Sequence, residues 1–378
     1  MNNAELVSFR KLLHRNAELS GKEEKTSAII INKLKEYDPD ELISNIGGFG
    51  IIAVFEGKRP GKNVLLRCDM DGLPIPESNT FDHISVDPAT GHKCGHDGHM
   101  TIMIGVAEEL SKIKNELSGK VYLLFQPAEE TAQGAKAVLE DEKWADMDPD
   151  YVFALHNLPG YDKGDIILRR DIFSSASKGL IVKLKGETSH AAHPENGRSP
   201  LLAMLSIIQG LIAIPGQYTK FSNSALITII HTRLGEIAFG TSPGVAEVMA
   251  TLRSHFNEDM DTMTGEAFKL VAYQSDAYEL YSKIELVEEF PATNNADHCY
   301  EIVKASAESL NKKIIYPENP FPWSEDFGYF TEKYKGALFG LGAGKDHLQL
   351  HNSYYDFPDE VINDGIDIFI QIIKRMLK

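Results

Sequence analysis

Three apolar segments of the chain are each followed at once by residues that can bind a metal ion or transfer a proton. They read NVLLRCDMD, KVYLLFQPAEE and YVFALHNLPG, and the polar residues in question are Asp69, Asp71, Glu129, Glu130 and His156. Helical patterns such as HMTIMIGVAEELSKI alternate with these predicted strands, which is typical of an α/β fold with a mostly parallel sheet flanked by helices. Because ligands bind beyond the carboxyl ends of strands in such sheets, we expect these side chains to converge at one edge.

A second domain is predicted from the length of the chain and from a change of pattern near Ser177. The sequence has 378 residues, 43% of them hydrophobic, which favours two domains. Between 177 and 290 the predicted order is β-α-β-β-α-β, the ferredoxin-like arrangement. We therefore expect an inserted α+β domain at 177–290, within an α/β domain formed by 1–176 and 291–378. The apolar stretch LLAMLSIIQGLIAI of the insert stops at Pro215 and is predicted to be a buried helix, too short to span a membrane.

Charge and cysteine usage limit the class of partner and the compartment. The formal net charge of −17 argues against a nucleic-acid partner, which would require clustered Lys and Arg. The first residues, MNNAELVSFRKLLHR, contain no apolar core of a secretory signal. Cys68, Cys94 and Cys299 are odd in number and far apart, which argues against a disulfide framework. We expect a cytoplasmic protein without a nucleic-acid or membrane partner.

The segment GHKCGHDGHM adds two further candidate ligands, Cys94 and His96, and LHNSYYDFPDE near the C-terminus adds His351. A mixture of thiolate, imidazole and carboxylate groups suits zinc, manganese, cobalt or nickel better than magnesium or calcium. The set is larger than one catalytic ion requires. We therefore predict two divalent transition-metal ions that share a water molecule.

The adjacent residues Glu129 and Glu130 point in different directions, so one can bind metal while the other transfers protons. Taken alone, such a doublet is more often a solvated helix start, and a lone histidine after a strand is more often a hydrogen-bonded loop residue. The occurrence of all these residues at successive strand ends favours the metal site. His92 and His99 flank the candidate ligands and are expected only to support the loop.

These residues belong to motifs that resemble the M20 family of metallopeptidases and amidohydrolases. Within it the chain is most similar to the N-acyl-amino-acid hydrolases, a subgroup that includes hippurate hydrolases, auxin-conjugate hydrolases and N-acetyldiaminopimelate deacetylases. The similarity runs nearly from end to end. The matching motifs, in order, are LLRCDMDGLPIPE, HKCGHDGHM, FQPAEE, ALHNLPG, SHAAHPENGRSP, SEDFGYF and LHNSYYDFPDE.

The resemblance implies a zinc-exopeptidase-like catalytic domain and a role for each matching residue. The implied metal ligands are Cys94, His96, Glu130, His156 and His351. Glu129 would be the general base, and Asp71, with Asp69, would orient the ligands. His190 in the inserted domain would stabilise the oxyanion of a tetrahedral intermediate and would contact the substrate. The inserted domain would close over the site and form a homodimer.

The inserted domain departs from the family pattern at one position. Gly240 stands where relatives carry an asparagine that helps to hold the substrate, and glycine has no side-chain donor. Arg253 is retained and is the implied partner of a substrate carboxylate. The metal site is therefore expected to be complete, while the substrate pocket differs.

The function predicted from the sequence is hydrolysis of the amide bond of an N-acyl amino acid or a related small amide. A dipeptidase or carboxypeptidase of the same family remains an alternative, because the same metal site hydrolyses either bond. A family member that binds metal without catalysis is a third reading. The presence of Glu129 together with all five ligands argues against it.

Overall fold

Apolar strands and amphipathic helices alternate along the chain, and the computed structural model describes all of its residues, Met1–Lys378. The α-helices are α1 (Asn3–Arg15), α2 (Glu24–Leu34), α3 (His96–Ile113), α4 (Gly134–Glu140), α5 (Leu201–Tyr218), α6 (Asn257–Ala277), α7 (Asp297–Ser309), α8 (Gly328–Lys333) and α9 (Ile362–Leu377). The strands are β1 (Glu41–Ile46), β2 (Gly50–Glu56), β3 (Arg59–Asp69), β4 (Ser118–Gln126), β5 (Tyr151–Pro159), β6 (Ile166–Ile167), β7 (Asp171–Ser174), β8 (Ala176–Lys185), β9 (Ser189–His190), β10 (Ala225–Leu234), β11 (Thr241–Ser242), β12 (Val245–Ser254), β13 (Tyr281–Phe290), β14 (Thr293–Asn295), β15 (Ile314–Ile315) and β16 (Lys335–Gly344). Short 3-10 helices occupy Lys35–Tyr37, Lys114–Glu116, Glu142–Asp146, Pro194–Asn196 and Asp359–Val361.

The chain forms two structural units. The first consists of Met1–Phe173, Thr293–Pro320 and Glu325–Lys378, and the second of Ser174–Ala292 and Phe321–Ser324.

The first unit contains an eight-stranded sheet in the order β1-β2-β4-β3-β5-β16-β6-β15. The central strands β4, β3, β5 and β16 are parallel to one another, as the alternating pattern predicts. The pairs β1–β2, β2–β4 and β16–β6 are antiparallel, so the complete sheet is mixed. Strands β1 and β2 are joined by a short turn, and a connection of that length allows only antiparallel pairing.

Both faces of the central strands are covered. Val64, Leu65 and Leu66 are consecutive in β3 and all fully buried, although their side chains point alternately to opposite faces. Helix α9 carries Ile362, Phe369 and Ile373 on its apolar stripe and packs against α3 and β3. Because the central strands run parallel, the residues after Asp69 and Gln126 reach the same edge of the sheet.

The second unit contains an antiparallel sheet in the order β10-β12-β8-β13, with helices α5 and α6 packed together and against it. The chain order β8-α5-β10-β12-α6-β13 is the ferredoxin-like arrangement. Along β12, Ala246, Val248, Ala250 and Leu252 are buried while the residues between them are more exposed. This alternation shows that one face of the sheet carries the core of the unit.

Helix α5 differs from the expectation of a buried helix that stops at Pro215. It continues through Pro215 to Tyr218, because a proline in the last turn removes only one backbone hydrogen bond. One side of the helix is buried, but Leu202 is 56% and Ile212 is 58% exposed. By length and composition alone α5 could cross a membrane, and core helices of soluble proteins can share that length and composition.

Candidate metal centre

The start of helix α3 places Cys94 and His96 beside the carboxyl end of β5. Gly95 lies between them with a φ of +94°, in the left-handed region that favours glycine. A Cβ at Gly95 would lie 2.6 Å from the side-chain oxygen of Asn157, so a larger residue does not fit. The Sγ atom of Cys94 lies 3.4 Å from Nε2 of His156.

The predicted ligands lie together in groups whose candidate ligand atoms are all within 4.8 Å of one another. One group is Cys94, Glu130 and His351, and a second is His96, Glu129 and Glu130. Glu130 therefore belongs to both groups. The structure also brings His156 into a third group, in which the other members are Asp69, His96 and His99.

Two buried atoms at the centre of this cluster have no hydrogen-bond partner. They are Nε2 of His96 and Oε1 of Glu130, which lie 3.8 Å apart. Burying polar atoms without a partner is costly, and a cation bound by both atoms would satisfy them together. The combination of thiolate, imidazole and carboxylate donors fits a divalent transition metal.

The charge balance of the cluster also favours a cation. Burial, followed by the nearby charges of Glu130 and Glu129, raises the pKa of the Cys94 thiol well above its ordinary value. Burial and Asp71 likewise raise the pKa of Glu130 to about 8. A bound divalent cation would stabilise the ionised forms of both groups, as metal ligation requires.

Hydrogen bonds orient the two histidine rings toward the cluster. Nδ1 of His96 donates to the carbonyl oxygen of Asp71 at 2.9 Å, and Nδ1 of His156 donates to the carbonyl oxygen of Asn157 at 2.9 Å. Each ring therefore presents Nε2 to the other candidate ligands. Burial disfavours the charged form of His96, but Asp69, Asp71 and Glu130 raise its pKa to about 10. Burial, with the nearby His99, lowers the pKa of His156 to about 3.

Asp71 connects three segments of the site. One of its carboxylate oxygens accepts hydrogen bonds from the Ser20 hydroxyl at 2.6 Å and from the Glu130 backbone N–H at 3.1 Å. Its backbone carbonyl holds the ring of His96. Through these contacts Asp71 holds the ring of His96 and the backbone of Glu130.

Glu129 is buried beside two other acidic side chains, Glu325 and Asp326. Burial first, and then the charges of Glu325, Glu130 and Asp326, raise its pKa well above the ordinary value. A buried carboxyl group with a raised pKa is a candidate for proton transfer.

A buried arginine that sequence reasoning passed over supports this acidic cluster. The Arg67 guanidinium contacts Asp69 and Asp326 at 2.8 Å and Glu325 at 2.9 Å, and its Nε donates to Gln126 at 2.9 Å. The sequence did contain a signal for this role, because Arg67 is a charged residue within an apolar strand. A charged residue that is buried in such a strand must be paired.

Sequence reasoning also gave His99 no role beyond support of the loop. Its ring bridges Oδ1 of Asp69 at 2.6 Å and Oδ1 of Asn157 at 2.5 Å. His99 thereby ties the carboxyl end of β3 to β5 beside the candidate ligands His96 and His156.

The candidate substrate residues lie in the second unit. His190 is exposed on β9 and pairs with Thr241 of β11, and its Nδ1 accepts a hydrogen bond from the Ala192 N–H at 3.0 Å. The Gly240 carbonyl accepts from Ala191 at 2.9 Å, and a Cβ at Gly240 would meet no atom within 4 Å. The position would therefore have room for a side chain.

Arg253 is the last residue but one of β12 and already has a partner in its own unit. One of its guanidinium nitrogens donates to the carbonyl oxygen of Pro322 at 2.8 Å and approaches the hydroxyl of Ser324 at 3.4 Å.

Comparison with known proteins agrees with this architecture. The chain is 31% identical over 377 residues to hippurate hydrolase of Campylobacter jejuni, which covers 99% of this chain and 97% of that protein. It is 29% identical to N-acetyldiaminopimelate deacetylase of Bacillus pumilus, with 99% of each chain covered.

Two solved structures have the same fold. A protein from methicillin-resistant Staphylococcus aureus superposes with a TM-score of 0.91 at 25% identity, over 100% of this chain and 97% of that one. A dinuclear metal-binding peptidase from the M20 family of Bacillus subtilis superposes with a TM-score of 0.83 at 25% identity, over 98% and 97%. Residues 65–375, most of the chain, match the model of peptidase family M20/M25/M40. The chain therefore belongs to that family.

Proposed function

We propose that the protein is a two-metal amidohydrolase that cleaves the amide bond of N-acyl amino acids. The observation that carries the proposal is the pair of ligand groups that share Glu130, with the buried acid Glu129 beside them. The similarity to hippurate hydrolase and to N-acetyldiaminopimelate deacetylase supports an acylated amino acid as the substrate.

The proposed ligands of the ions are Cys94, His96, Glu130, His156 and His351. When bound, two such ions supply Lewis acidity and a water molecule of lowered pKa. The ions would be zinc, manganese, cobalt or nickel.

The side chains around the ligands have separate tasks in this proposal. Glu129 takes a proton from the attacking water and delivers it to the leaving nitrogen. Asp71 keeps His96 and Glu130 in place through the hydrogen bonds described above. His190 donates a hydrogen bond to the developing oxyanion.

Arg253 binds the carboxylate of the substrate. A guanidinium has five N–H donors, so the hydrogen bond to Pro322 leaves others for this task. Gly240 adds no donor to this carboxylate, in contrast to the asparagine of the family pattern.

We further propose that 177–290 is a lid and dimerisation domain. The support is an exposed apolar surface on α5 and on the edge strand β10, formed by Leu202, Ile212, Leu226 and Ile230. One side of β10 lacks a partner strand, and an edge with apolar side chains is suited to pairing with a second copy. A cytoplasmic location is supported by three free cysteines, all buried.

The test is hydrolysis by chelator-stripped protein to which manganese, zinc, cobalt or nickel is added back. The panel contains N-acetyl, N-benzoyl and N-succinyl amino acids beside free dipeptides, and release of the amine is measured. We expect metal-dependent cleavage of the acylated members. Cleavage of free dipeptides alone would make the protein a peptidase, and no cleavage with ions bound would contradict the catalytic role.

A further inference from the structure

Lys93, the residue before Cys94, is completely buried. Lysine is almost never fully buried unless its charge is paired. Here the ammonium lies 2.5 Å from Oε1 of Glu77 and donates to the backbone carbonyl of Tyr355 at 2.8 Å.

The backbone of Lys93 contacts the same C-terminal segment at a second point. Its carbonyl oxygen accepts a hydrogen bond from the N–H of His351 at 2.7 Å. One residue therefore holds both ends of the turn from His351 to Tyr355. The Ser78 N–H, next to Glu77 in the chain, holds the middle of that turn through the Ser353 carbonyl at 3.1 Å.

His351 depends on such anchoring more than the other ligands do. Its side chain is 52% exposed, so packing does not fix the ring. Its φ is +65°, a left-handed conformation that costs a non-glycine residue on the order of 1–3 kcal/mol and persists only where the surroundings enforce it. Nε2 of His351 lies 3.8 Å from Oε2 of Glu130, within the group that also contains Cys94.

We propose that Lys93 is a positioning residue that clamps the His351–Tyr355 turn against the Cys94 segment and so sets the affinity of the ion held by Cys94, Glu130 and His351. This inference rests on the proposed metal function. In this inference Lys93 brings together proposed ligands that lie far apart in the chain. Lys93 is next to Cys94, and Tyr355, at the end of the turn that begins at His351, is 262 positions away from Lys93.

The test is a double-mutant cycle read by ion binding. Lys93→Met keeps the length of the side chain and the backbone carbonyl but removes the ammonium. Stoichiometry and Kd are measured for zinc and for cobalt by competition with a chromophoric chelator, in the parent and on a His351→Ala background. Lys163→Met is the control, because Lys163 pairs with Glu360 at the surface of the same unit.

We expect Lys93→Met to weaken one of two ions by about 10- to 100-fold, as loss of a group that supports a ligand does, and to leave the other within twofold. On the His351→Ala background, which lacks the clamped ligand, the same substitution should change affinity by less than twofold. Glu77→Gln, which keeps the shape of the ammonium's partner, should weaken the same ion by a smaller factor. If Lys93→Met does not fold, Glu77→Gln is measured in its place.

If Lys93→Met bound both ions as tightly as the parent protein does, this inference would be overturned, while the proposed function would stand. An equal loss of affinity on the two backgrounds would overturn it as well, because Lys93 would then not act through His351. Absence of ion binding by the parent protein would overturn the proposed function and this inference together.

Discussion

At the scale of single residues, the site depends on acids that the protein holds out of water. Glu129 shares its surroundings with Glu325 and Asp326, and only Arg67 balances that group of charges from within the protein. The pKa of Glu129 is raised by burial and by those neighbours, which suits the proton transfer proposed for it.

Replacing Glu129 with glutamine tests that role. Glu129→Gln keeps the volume of the side chain but cannot accept the proton, so kcat should fall by about 10²- to 10⁴-fold while ion content stays at the parental level. The measurements are steady-state kinetics and metal analysis. Glu140→Gln, at an exposed position of α4, is the control. Turnover by Glu129→Gln at the parental rate would remove Glu129 from the mechanism.

A buried histidine makes stability depend on pH. Nδ1 of His14 lies 2.8 Å from Asp97 and Nε2 lies 2.9 Å from Glu77. Burial disfavours the charged ring, but these two carboxylates raise the pKa of His14 from 6.5 to about 9. The folded protein therefore binds this proton more tightly than the unfolded chain does.

His14 should consequently stabilise the fold below pH 6.5 and lose that contribution as the pH rises through about 9. The shift corresponds to roughly 3 kcal/mol of unfolding free energy. Urea denaturation of the parent and of His14→Gln at a series of pH values measures it. The difference in free energy of unfolding between the two proteins should be largest at low pH. A difference that increases toward pH 9 would contradict the role of His14.

At the scale of elements, the positions of the candidate ligands depend on where helix α3 begins. Gly98 lies in its first turn, and a Cβ there would come within 2.2 Å of the Phe357 ring. Phe357 is buried at the base of the segment that carries His351. The helix can thus approach that segment only because position 98 has no side chain.

We expect Gly98→Ala to lower the free energy of unfolding by about 1–3 kcal/mol, because it forces an added methyl into a filled space. Gly265→Ala in α6 is the matched control, since a Cβ there meets no atom within 4 Å. That change should raise stability by up to about 1 kcal/mol through helix propensity. Thermal unfolding followed by circular dichroism measures both. Equal effects of the two substitutions would show that Phe357 does not restrict position 98.

At the scale of the whole molecule, apolar surface is concentrated on the second unit. Ile230 on the edge strand β10 is 61% exposed, and Leu202 and Ile212 on α5 are exposed as well. Covering such side chains with a second copy would remove apolar area from water. Each Å² removed would stabilise the dimer by roughly 25 cal/mol.

Ile230→Lys should therefore convert the proposed dimer to a monomer, because a charge at the edge strand opposes pairing with another strand. Analytical ultracentrifugation measures the mass. Val86→Lys, an equally hydrophilic change at an exposed apolar position of the first unit, should leave the dimer intact. A parent protein that sediments as a monomer would refute the interface.

The sequence by itself determined the central strands, the helices that alternate with them and the candidate ligands. Apolar runs predicted the central strands. The polar residues that follow these strands in the chain lie close together, because parallel strands end at the same edge of the sheet. The sequence did not predict the antiparallel strands at the flanks of the sheet or the exposure of α5. Composition reports that a segment is apolar, but it does not report whether another element covers it.

The tertiary structure alone decided which partner each buried charged group has around the site. Arg67 contacts Asp326 across 259 positions, His14 contacts Asp97 across 83, and Lys93 reaches Tyr355 across 262. No local pattern specifies such pairs, because each depends on two segments that meet only when the sheet has formed. Only the folded chain provides the low-polarity surroundings of these groups. In those surroundings nearby charges shift pKa values, and hydrogen bonds hold the candidate ligands in place.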